Sequence, residues 1–449
     1  MRSRLLPDRQ LRTERNGRVL LGGHPFRVIT LSSAGASGVR SWFAGRPPSG
    51  QAENDLAMRL VESGLVHPHP EPGVTRFHAV IPFRGRIGEL RATLAGLDVA
   101  SITVVDDGSD PPLAPIDGVE ILRHAESQGP AAARNAGWRH VVDTAADPDD
   151  LVLLFIDGGV EVTADALELL AGHFDDAAVA AVAPRVASTP GPSPLERYEM
   201  SFSPLDLGPN PSLVGSGRLI TYVPSACLAV RASSVIEHDG FDEHFRYGED
   251  VDFVWRVATQ SQVRYDPRAL VHHHPRRSVR GFAEQRFRYA TAAAPLASKH
   301  PQTSAPWQPS IVGAGGVAAS LLGHNMLGVA IGFLPVRSLA ERLGNTATPV
   351  PTAIRLLAVG HAWAARSFAE NTGRSWFTFS AIMLARPSCR RRVGGWVLAG
   401  WLRRVTSTRS PTLLALGVLD DVAYGVGTAV GAWRERSLRT MRPRISTWR

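Results

Sequence analysis

An α/β fold with a largely parallel central sheet is what this sequence predicts, on two observations. Between residues 76 and 300, short apolar runs alternate with helical stretches, which is the pattern of strands joined by helices. Residues 310–449 change to a Gly-, Ala- and Leu-rich composition with many Arg, which predicts a separate helical region. A short module precedes both, so three domains are expected: 1–70, 75–300 and 310–449.

The first of these regions reads as a small β-α module. Two short strands are predicted around the turn Gly22-Gly23-His24-Pro25. Ser32 or Ser33 then caps a helix that runs through Val39–Phe43, and Asp55–Ser63 forms a second helix with one apolar face. The Pro- and His-rich segment that follows is typical of a linker.

The central region contains the expected sheet. Its predicted strands are Phe77–Ile81, Ile102–Val105, Val119–Leu122, Leu151–Ile156, Val179–Ala183 and Val263–Val271. Because ligands of such sheets bind beyond the carboxyl ends of the strands, the polar residues that follow each run matter most.

The third region is basic and apolar. The whole chain carries a net charge of +8, but residues 310–449 contain 18 Arg, no Lys and 5 acids, a local charge of +13, which leaves −5 for residues 1–309. This asymmetry argues against nucleic acid as a partner and favours an anionic membrane surface. Ile311–Leu334 and Leu413–Trp433 are the apolar segments, and each is interrupted by polar residues. They are either buried core helices or interfacial helices, and crossing of the bilayer is left open.

Cysteine usage indicates the compartment. Cys227 and Cys389 are the two cysteines among 449 residues, which provides neither a disulfide framework nor a zinc-binding spacing. The first residues lack the apolar run of a signal peptide. We therefore expect a cytoplasmic protein, with association at the inner face of the cell membrane as the further option.

Two strand ends supply candidate donor-binding residues. Asp106 and Asp107 follow an apolar strand and could accept hydrogen bonds from a uracil or a ribose; alternatively they form a turn that caps a helix. The stretch Gln128–Gly137 reads as a helix start whose free amide groups favour an anion. Arg134 lies one turn into this helix and could contact a diphosphate; its alternative is a surface salt bridge.

A metal site is predicted after the most apolar strand. Asp157 follows that strand directly, where a carboxylate could bind a ribose or a divalent cation such as Mg²⁺ or Mn²⁺. His273, within His272–His274 after another apolar segment, could supply one imidazole.

Two further segments carry candidate catalytic or binding groups. Glu249 and Asp250 begin an acidic helix, and a carboxylate there could take the proton from an acceptor hydroxyl; alternatively the helix is merely well capped. A later motif contains Gln285, Arg286, Arg288 and Tyr289. These residues would contact the acceptor or a diphosphate; alternatively they form one face of an amphipathic helix.

Taken in order along the chain, these motifs resemble family 2 glycosyltransferases over about half the sequence. The resemblance implies the A-type glycosyltransferase fold (a mixed, mainly parallel sheet with flanking helices), a nucleoside-diphosphate-sugar donor, a divalent metal and transfer with inversion. It implies Asp250, with Glu249 beside it, as the general base. The donor-binding residues that it implies are Pro82, Arg84, Asp106, Asp107, Arg134 and Asp157.

One position departs from the family pattern. The family usually has Asp-x-Asp, and here the second Asp is replaced by Gly159. The metal would then be held by Asp157 with His273 or Glu161, or chiefly by the donor phosphates.

Other segments resemble the glycosyltransferases of the mycofactocin system, which attach β-1,4-linked glucose to a peptide-derived redox cofactor; they include Glu196–Glu199, Ser203–Pro209 and Tyr222–Cys227. The N-terminal module is similar to small winged-helix peptide-recognition domains. The resemblance implies UDP-glucose as donor and the peptide-derived cofactor as acceptor. Two alternatives remain: a cell-envelope polysaccharide glycosyltransferase that uses another sugar, and a non-catalytic adaptor that binds a peptide or a membrane.

Overall fold

The structure, a computed structural model, describes residues 3–74, 77–145, 147, 151–408 and 410–446, with the backbone alone for 403–408. Residue 75, where we expect the central domain to start, lies outside the described residues. The chain divides into a sheet unit, Met1–Gly191 with Glu199–Pro275, and a helical unit, Pro192–Tyr198 with Arg276–Arg449. The division into three domains stays a prediction.

The chain up to Pro275 contains fourteen strands and eight α-helices in its described part. The strands are β1 (Arg4–Pro7), β2 (Arg12–Glu14), β3 (Val19–Gly22), β4 (Arg27–Thr30), β5 (Val66–His69), β6 (Phe77–Phe83), β7 (Ser101–Asp107), β8 (Glu120–His124), β9 (Val152–Ile156), β10 (Val160–Glu161), β11 (Val179–Ser188), β12 (Ser212–Leu213), β13 (Cys227–Arg231) and β14 (Gln262–His273). The helices are α1 (Ser33–Phe43), α2 (Gly50–Glu62), α3 (Ile87–Ala95), α4 (Pro130–Thr144), α5 (Ala164–Ala171), α6 (Pro194–Phe202), α7 (Ala232–Glu237) and α8 (Glu249–Val257).

A nine-stranded mixed sheet forms the centre of the sheet unit. Its order is β10-β14-β11-β13-β9-β6-β7-β8, and β12 pairs with β14. The neighbouring strands β9, β6, β7 and β8 all run parallel, so their carboxyl ends meet at one edge. β13 enters antiparallel between β9 and β11. The predicted mixed, mainly parallel sheet with flanking helices is confirmed.

Both faces of this sheet are covered, which explains why the strands read as continuous apolar runs. In β9, Leu154 and Ile156 belong to a core that contains Leu90 of α3 and Leu167 of α5. The intervening Phe155 belongs to a second core on the other face. Side chains alternate along a strand with a period of two, so one apolar run supplies both cores.

The N-terminal module packs around Trp42, Leu20 and Leu60, in a core that also includes Leu213 of β12. β2, β3 and β4 form a three-stranded antiparallel sheet, and β1 pairs with β5. The Ser32 hydroxyl accepts a hydrogen bond from the Gly35 N–H and caps α1, as predicted. The likeness of this module to a winged helix stays a prediction.

The helical unit contains nine further α-helices in its described residues. These are α9 (Val279–Thr291), α10 (Ala293–Lys299), α11 (Ile311–Leu321), α12 (Asn325–Phe333), α13 (Val336–Arg342), α14 (Pro349–Gly373), α15 (Phe377–Leu384), α16 (Pro387–Thr408) and α17 (Pro411–Arg434). The apolar segment Ile311–Leu334 is thus not one helix. It breaks at Gly323, whose φ of +93° suits glycine and ends the helical path.

Helix α17 carries two buried carboxylates. Arg374 Nη1 donates to Asp420 Oδ1 at 2.8 Å and to Asp421 Oδ1 at 2.9 Å. Tyr198 and Arg286 also donate to Asp420. In the described part of the chain, α17 is the one helix long and apolar enough to cross a membrane. Both carboxylates have hydrogen-bond partners within the helical unit, and 39% of the apolar window of this helix is buried.

Candidate active site

The loops that follow β6 and β7 contact each other, and the loop after β6 also contacts the segment just before α4. The Gly85 N–H, after β6, donates to Ser109 Oγ, after β7, at 2.9 Å. Arg84 Nη1 donates to Ser127 Oγ, just before α4, at 3.1 Å. Pro82 is paired in register with Val105 of β7. Pro82 and Arg84, two predicted donor-binding residues, therefore lie at the carboxyl edge of the parallel strands.

Asp107 joins this edge to the start of α4. Its carboxylate accepts hydrogen bonds from the N–H groups of Gln128 and Gly129, from Ser127 Oγ, and from His124 Nδ1 of β8. Burial opposes ionisation of the carboxyl group, but these hydrogen bonds outweigh it and hold the pKa of Asp107 below its ordinary value. Asp107 therefore stays a carboxylate that fixes the loop before α4.

Asp106 makes a second set of local contacts. It is 1% exposed and accepts hydrogen bonds from the N–H groups of Ser109 and Leu113 and from Arg123. Burial again opposes ionisation, and the hydrogen bonds prevail, so the pKa of Asp106 lies below its ordinary value. Both oxygens of each Asp already accept from the protein. A role for either carboxylate in binding the donor base stays a prediction.

Arg134 connects three elements of the sheet unit. Its guanidinium is 3% exposed and donates from Nη2 to Asp157 Oδ1 at 2.6 Å and from Nη1 to Glu249 Oε1 at 2.7 Å. It thereby joins α4 to the end of β9 and to the start of α8. A surface salt bridge does not describe Arg134, because the guanidinium and Glu249 are both buried, although Asp157 is 38% exposed.

The start of α8 holds two carboxyl groups whose ionisation is opposed. Burial raises the pKa of Glu249 to about 7, Asp250 adds to the shift, and Arg134 counteracts it. Burial also raises the pKa of Asp250, whose carboxylate accepts hydrogen bonds from the N–H groups of Ser225 and Val251. A carboxylate with a raised pKa is a stronger base, which is what removal of a hydroxyl proton needs.

Asn135 is a residue of this site for which the sequence indicated no role. Its Nδ2 donates to Phe241 O at 2.7 Å and to Glu243 Oε1 at 2.8 Å, and the Phe241 N–H donates to its Oδ1 at 2.9 Å. This buried amide attaches the segment before α8 to α4. In the sequence, Asn135 is distinguished only as a polar residue within the Ala-rich start of α4.

The turn after β9 lies beside the histidine-rich end of β14. β10 pairs with β14 so that Val160 faces His273 and Glu161 faces His272 in register. His274 Nε2 lies 2.8 Å from Glu161 Oε1, so Glu161 already has a partner. Among the described residues, no group of three or more His, Cys, Asp or Glu side chains is arranged to hold a metal. Asp157, 38% exposed, offers a hard oxygen that suits Mg²⁺ or Mn²⁺ if phosphate oxygens complete the coordination.

Comparison with known proteins decides the family. The model of the family described as "Glycosyl transferase family 2" matches residues 79–237. Two proteins named "Pre-mycofactocin glycosyltransferase", from Mycobacterium tuberculosis strains CDC 1551 / Oshkosh and ATCC 25618 / H37Rv, are each 34% identical to this chain, over 98% of it and 97% of their own length. This chain belongs to glycosyl transferase family 2. It is therefore an enzyme, and the alternative of a non-catalytic adaptor is wrong.

Solved structures resemble this glycosyltransferase only distantly. A crystal structure of GalNAc-T7 with UDP, GalNAc and Mn²⁺ has a TM-score of 0.34 and 13% identity, over 52% of this chain and 53% of the other. A Pyrobaculum calidifontis mannosyltransferase with GDP-Man and Mn²⁺ has a TM-score of 0.35 and 14% identity, over 76% of this chain and 90% of the other. Similarities of this size carry no inference about the donor or the metal of this glycosyltransferase.

The four predicted residues of α9 lie in the helical unit of the glycosyltransferase. Gln285 Nε2 donates to the Tyr289 hydroxyl at 3.0 Å, and Arg288 donates to Glu284. Arg286 is 2% exposed and pairs with Asp420. Contact of these residues with an acceptor or a diphosphate stays a prediction.

Proposed function

We propose that this glycosyltransferase transfers glucose from UDP-glucose to the peptide-derived redox cofactor mycofactocin, building a β-linked oligosaccharide. The end-to-end identity with two pre-mycofactocin glycosyltransferases supports the acceptor, because it includes the N-terminal module as well as the sheet. The observation that carries the chemistry is the convergence of Arg134, Asp157 and Glu249 within hydrogen-bonding distance at the carboxyl edge of the sheet.

The proposed reaction is a single displacement at the anomeric carbon. Asp250 takes the proton of the acceptor hydroxyl, and the oxygen forms a bond to the anomeric carbon from the face opposite the diphosphate. The anomeric carbon–oxygen bond to the diphosphate breaks, and UDP leaves with the electron pair. The configuration at the anomeric carbon therefore inverts.

The donor side of the site would hold the nucleotide through the loops after β6 and β7. Arg84 and Pro82 would face the nucleotide, Asp106 and Asp107 would keep the loops in place, and one of these two would bind the base. Arg134 would face the diphosphate. A divalent cation, Mg²⁺ or Mn²⁺, would neutralise the charge that builds on the leaving diphosphate. Asp157, and His273 on the adjoining strand, are the residues that we propose to hold it.

The N-terminal module would recognise the peptide part of the acceptor. A core built around Trp42, Leu20 and Leu60, which also includes Leu213 of β12, supports a folded module within the sheet unit. A transferase whose acceptor is a small sugar does not need such a module. Gln285 and Tyr289 of α9 would contact the growing saccharide or its acceptor.

The helical unit would associate with the inner, anionic face of the cell membrane. Of the 29 exposed large apolar side chains among the described residues, 18 lie between Ile311 and Ile445. They share this region with the local charge of +13, which suits anionic headgroups above an apolar layer. Because Asp420 and Asp421 are buried and paired, we propose surface attachment of a cytoplasmic enzyme, with α17 as a core helix.

Mass spectrometry of the acceptor tests the donor and the acceptor together. The purified enzyme is incubated with the peptide-derived acceptor and, in parallel, with UDP-glucose, UDP-galactose, GDP-mannose or dTDP-rhamnose. We expect hexose additions with UDP-glucose and none with the other three. Transfer from another donor would replace the proposed sugar. Transfer to a lipid-linked saccharide, with none to the peptide-derived acceptor, would favour an envelope polysaccharide transferase instead.

A further inference from the structure

The turn after β9 lacks the second carboxylate of the Asp-x-Asp pattern. The side chain of Glu89, from another element, lies next to Gly159, which replaces that acid. A Cβ built on Gly159 would lie 3.6 Å from Glu89 Oε2 and 3.5 Å from Glu89 Cβ. Glu89 is on α3, 70 residues earlier in the sequence. Its carboxylate therefore occupies space beside the position where the family pattern puts an acid.

Hydrogen bonds hold this turn against α3. The Gly159 N–H donates to Thr93 Oγ1 at 2.9 Å, and the Thr93 hydroxyl donates to Glu89 O, one helical turn away, at 3.3 Å. Thr93 is fully buried. Within the turn, the Val160 N–H donates to Asp157 O at 3.1 Å. The turn that begins at Asp157 is thus held against α3, the helix that carries Glu89.

Glu89 is partly exposed, and within the described residues its Oε2 has no hydrogen-bond donor. Arg86 Nη1 donates to Oε1 at 2.7 Å, while Oε2 is the oxygen beside Gly159. Both partners of this ion pair are substantially exposed, at 57% for Arg86 and 38% for Glu89. An exposed pair of this kind contributes little, so it would not hold the carboxylate away from a stronger ligand.

Other candidates for the missing acid fit less well. Glu161, two residues after Gly159, is engaged by His274. One oxygen of Asp157 is engaged by Arg134. Mg²⁺ and Mn²⁺ bound to nucleotide phosphates commonly take one or two carboxylates from the protein, so Asp157 and Glu89 would supply these beside the His273 imidazole of the proposed site.

We propose that Glu89 supplies, from α3, the carboxylate that Gly159 lacks, and that Glu89 and Asp157 together bind the divalent cation of the nucleotide diphosphate. The inference rests on the proposed function, since it assumes a metal-bound nucleotide donor. It adds a ligand that lies outside the Asp-x-Asp segment.

Binding of Mn²⁺ in the presence of saturating UDP tests this proposal without reference to turnover. The full-length enzyme, Glu89→Gln, Arg86→Gln and Glu161→Gln are titrated with Mn²⁺, and free Mn²⁺ is followed by electron paramagnetic resonance. We expect Glu89→Gln to bind Mn²⁺ at least tenfold more weakly. Arg86→Gln, which keeps the Glu89 carboxylate, and Glu161→Gln, which removes an acid on the other side of the turn, should match the wild type. Binding of UDP in EDTA should be equal in all four proteins.

The possible failures are distinguishable. Equal Mn²⁺ affinity of Glu89→Gln and the wild type would overturn the assignment of Glu89 and leave the proposed function intact. A wild type that binds UDP without taking up Mn²⁺ would overturn the metal in the proposed function, and this assignment with it. Because the substitution preserves the shape of a part-exposed side chain, a folded variant is expected, and circular dichroism verifies it.

Discussion

Arg134 donates from Nη2 to Asp157 Oδ1 at 2.6 Å, across 23 residues of sequence. The other terminal nitrogen of this buried guanidinium donates to Glu249. Asp250, next to Glu249, adds a third carboxyl group to the surroundings of one cation. With all three ionised, the pocket has an excess of negative charge, which a proton or a bound cation would offset.

Arg134→Met should damage both folding and catalysis. The variant leaves Asp157 and Glu249 without their shared cation, and loss of one partner of a buried ion pair costs about 3–5 kcal/mol of unfolding free energy. We expect kcat/KM to fall by about a hundredfold or more, as for loss of a group that stabilises developing charge. Arg139→Met, on the same helix, is the control: Arg139 is 47% exposed and its carboxylate contacts are 3.5 and 3.7 Å long. Equally small losses in both variants would contradict a bridging role.

Glu249 should make stability fall as pH rises. Its pKa in the folded enzyme is about 7, against an ordinary value of 4.5, so the folded state holds the proton more tightly than the unfolded state. Ionisation of Glu249 therefore lowers the free energy of unfolding. This loss is absent below about pH 4.5 and complete above about pH 7, where it reaches about 3 kcal/mol. Glu249→Gln carries no such proton, so its stability relative to the wild type should rise across this window. Urea unfolding at several pH values measures the difference.

The control for this titration is Glu126→Gln, which alters an exposed carboxylate. Its stability relative to the wild type should stay constant over the same pH range. A Glu249→Gln variant that also kept a constant difference would mean that Glu249 is ionised throughout, with Arg134 outweighing burial.

The elements that could be predicted are those whose own residues carry a pattern, and the elements that could not are those defined by contacts with distant parts of the chain. The strand expected at Leu151–Ile156 is β9, Val152–Ile156, because a run buried on both faces is apolar at every position. β13, Cys227–Arg231, is short, and only its pairing with β9 and β11 reveals it. The break at Gly323 depends on a positive φ that composition does not indicate.

In the candidate site too, residues with a recognisable position in a strand or helix could be proposed, and residues defined by distant partners could not. Asp157 and Asp250 could be proposed because each begins or ends a recognisable element. The partners of Arg134 lie 23 and 115 residues away, and no periodicity connects them. The sequence alone does not indicate a role for Glu89, because a lone acid on a helix becomes informative only when the turn at Gly159 is seen to pack against it.

Asp250→Asn should abolish transfer and leave nucleotide binding nearly unchanged. The amide cannot take a proton from the acceptor, and its one oxygen keeps only one of the two hydrogen bonds that the Ser225 and Val251 N–H groups donate to separate oxygens of Asp250. Neither partner belongs to the loops after β6 and β7 that we propose to bind the nucleotide, so UDP affinity should change little. Isothermal titration with UDP and a transfer assay separate the two effects. A loss of UDP affinity as large as the loss of transfer would mean that Asp250 is structural.

Membrane attachment should depend on the arginines of α16. Arg390, Arg391 and Arg392 are exposed, and each cation near an anionic surface contributes about 1 kcal/mol. Replacing all three by Gln should weaken binding to phosphatidylglycerol vesicles by about a hundredfold, and added salt should weaken the wild type. Replacing the exposed Arg9, Arg12 and Arg18 of the N-terminal module is the control and should have little effect. Wild-type protein that resists salt and leaves membranes only with detergent would instead indicate insertion.

Gly159→Asp should restore Mn²⁺ binding to the Glu89→Gln variant. A carboxylate at 159 recreates the Asp-x-Asp pattern beside the amide that replaces Glu89, where the built Cβ meets only ordinary van der Waals distances. The φ of +96° at this position strains any side chain, at about 1–2 kcal/mol. Gly159→Ala on the same background therefore controls for strain, and it should lose that stability and recover no Mn²⁺ affinity. Equal Mn²⁺ binding by the Asp and Ala variants would show that the turn after β9 is not where the cation binds.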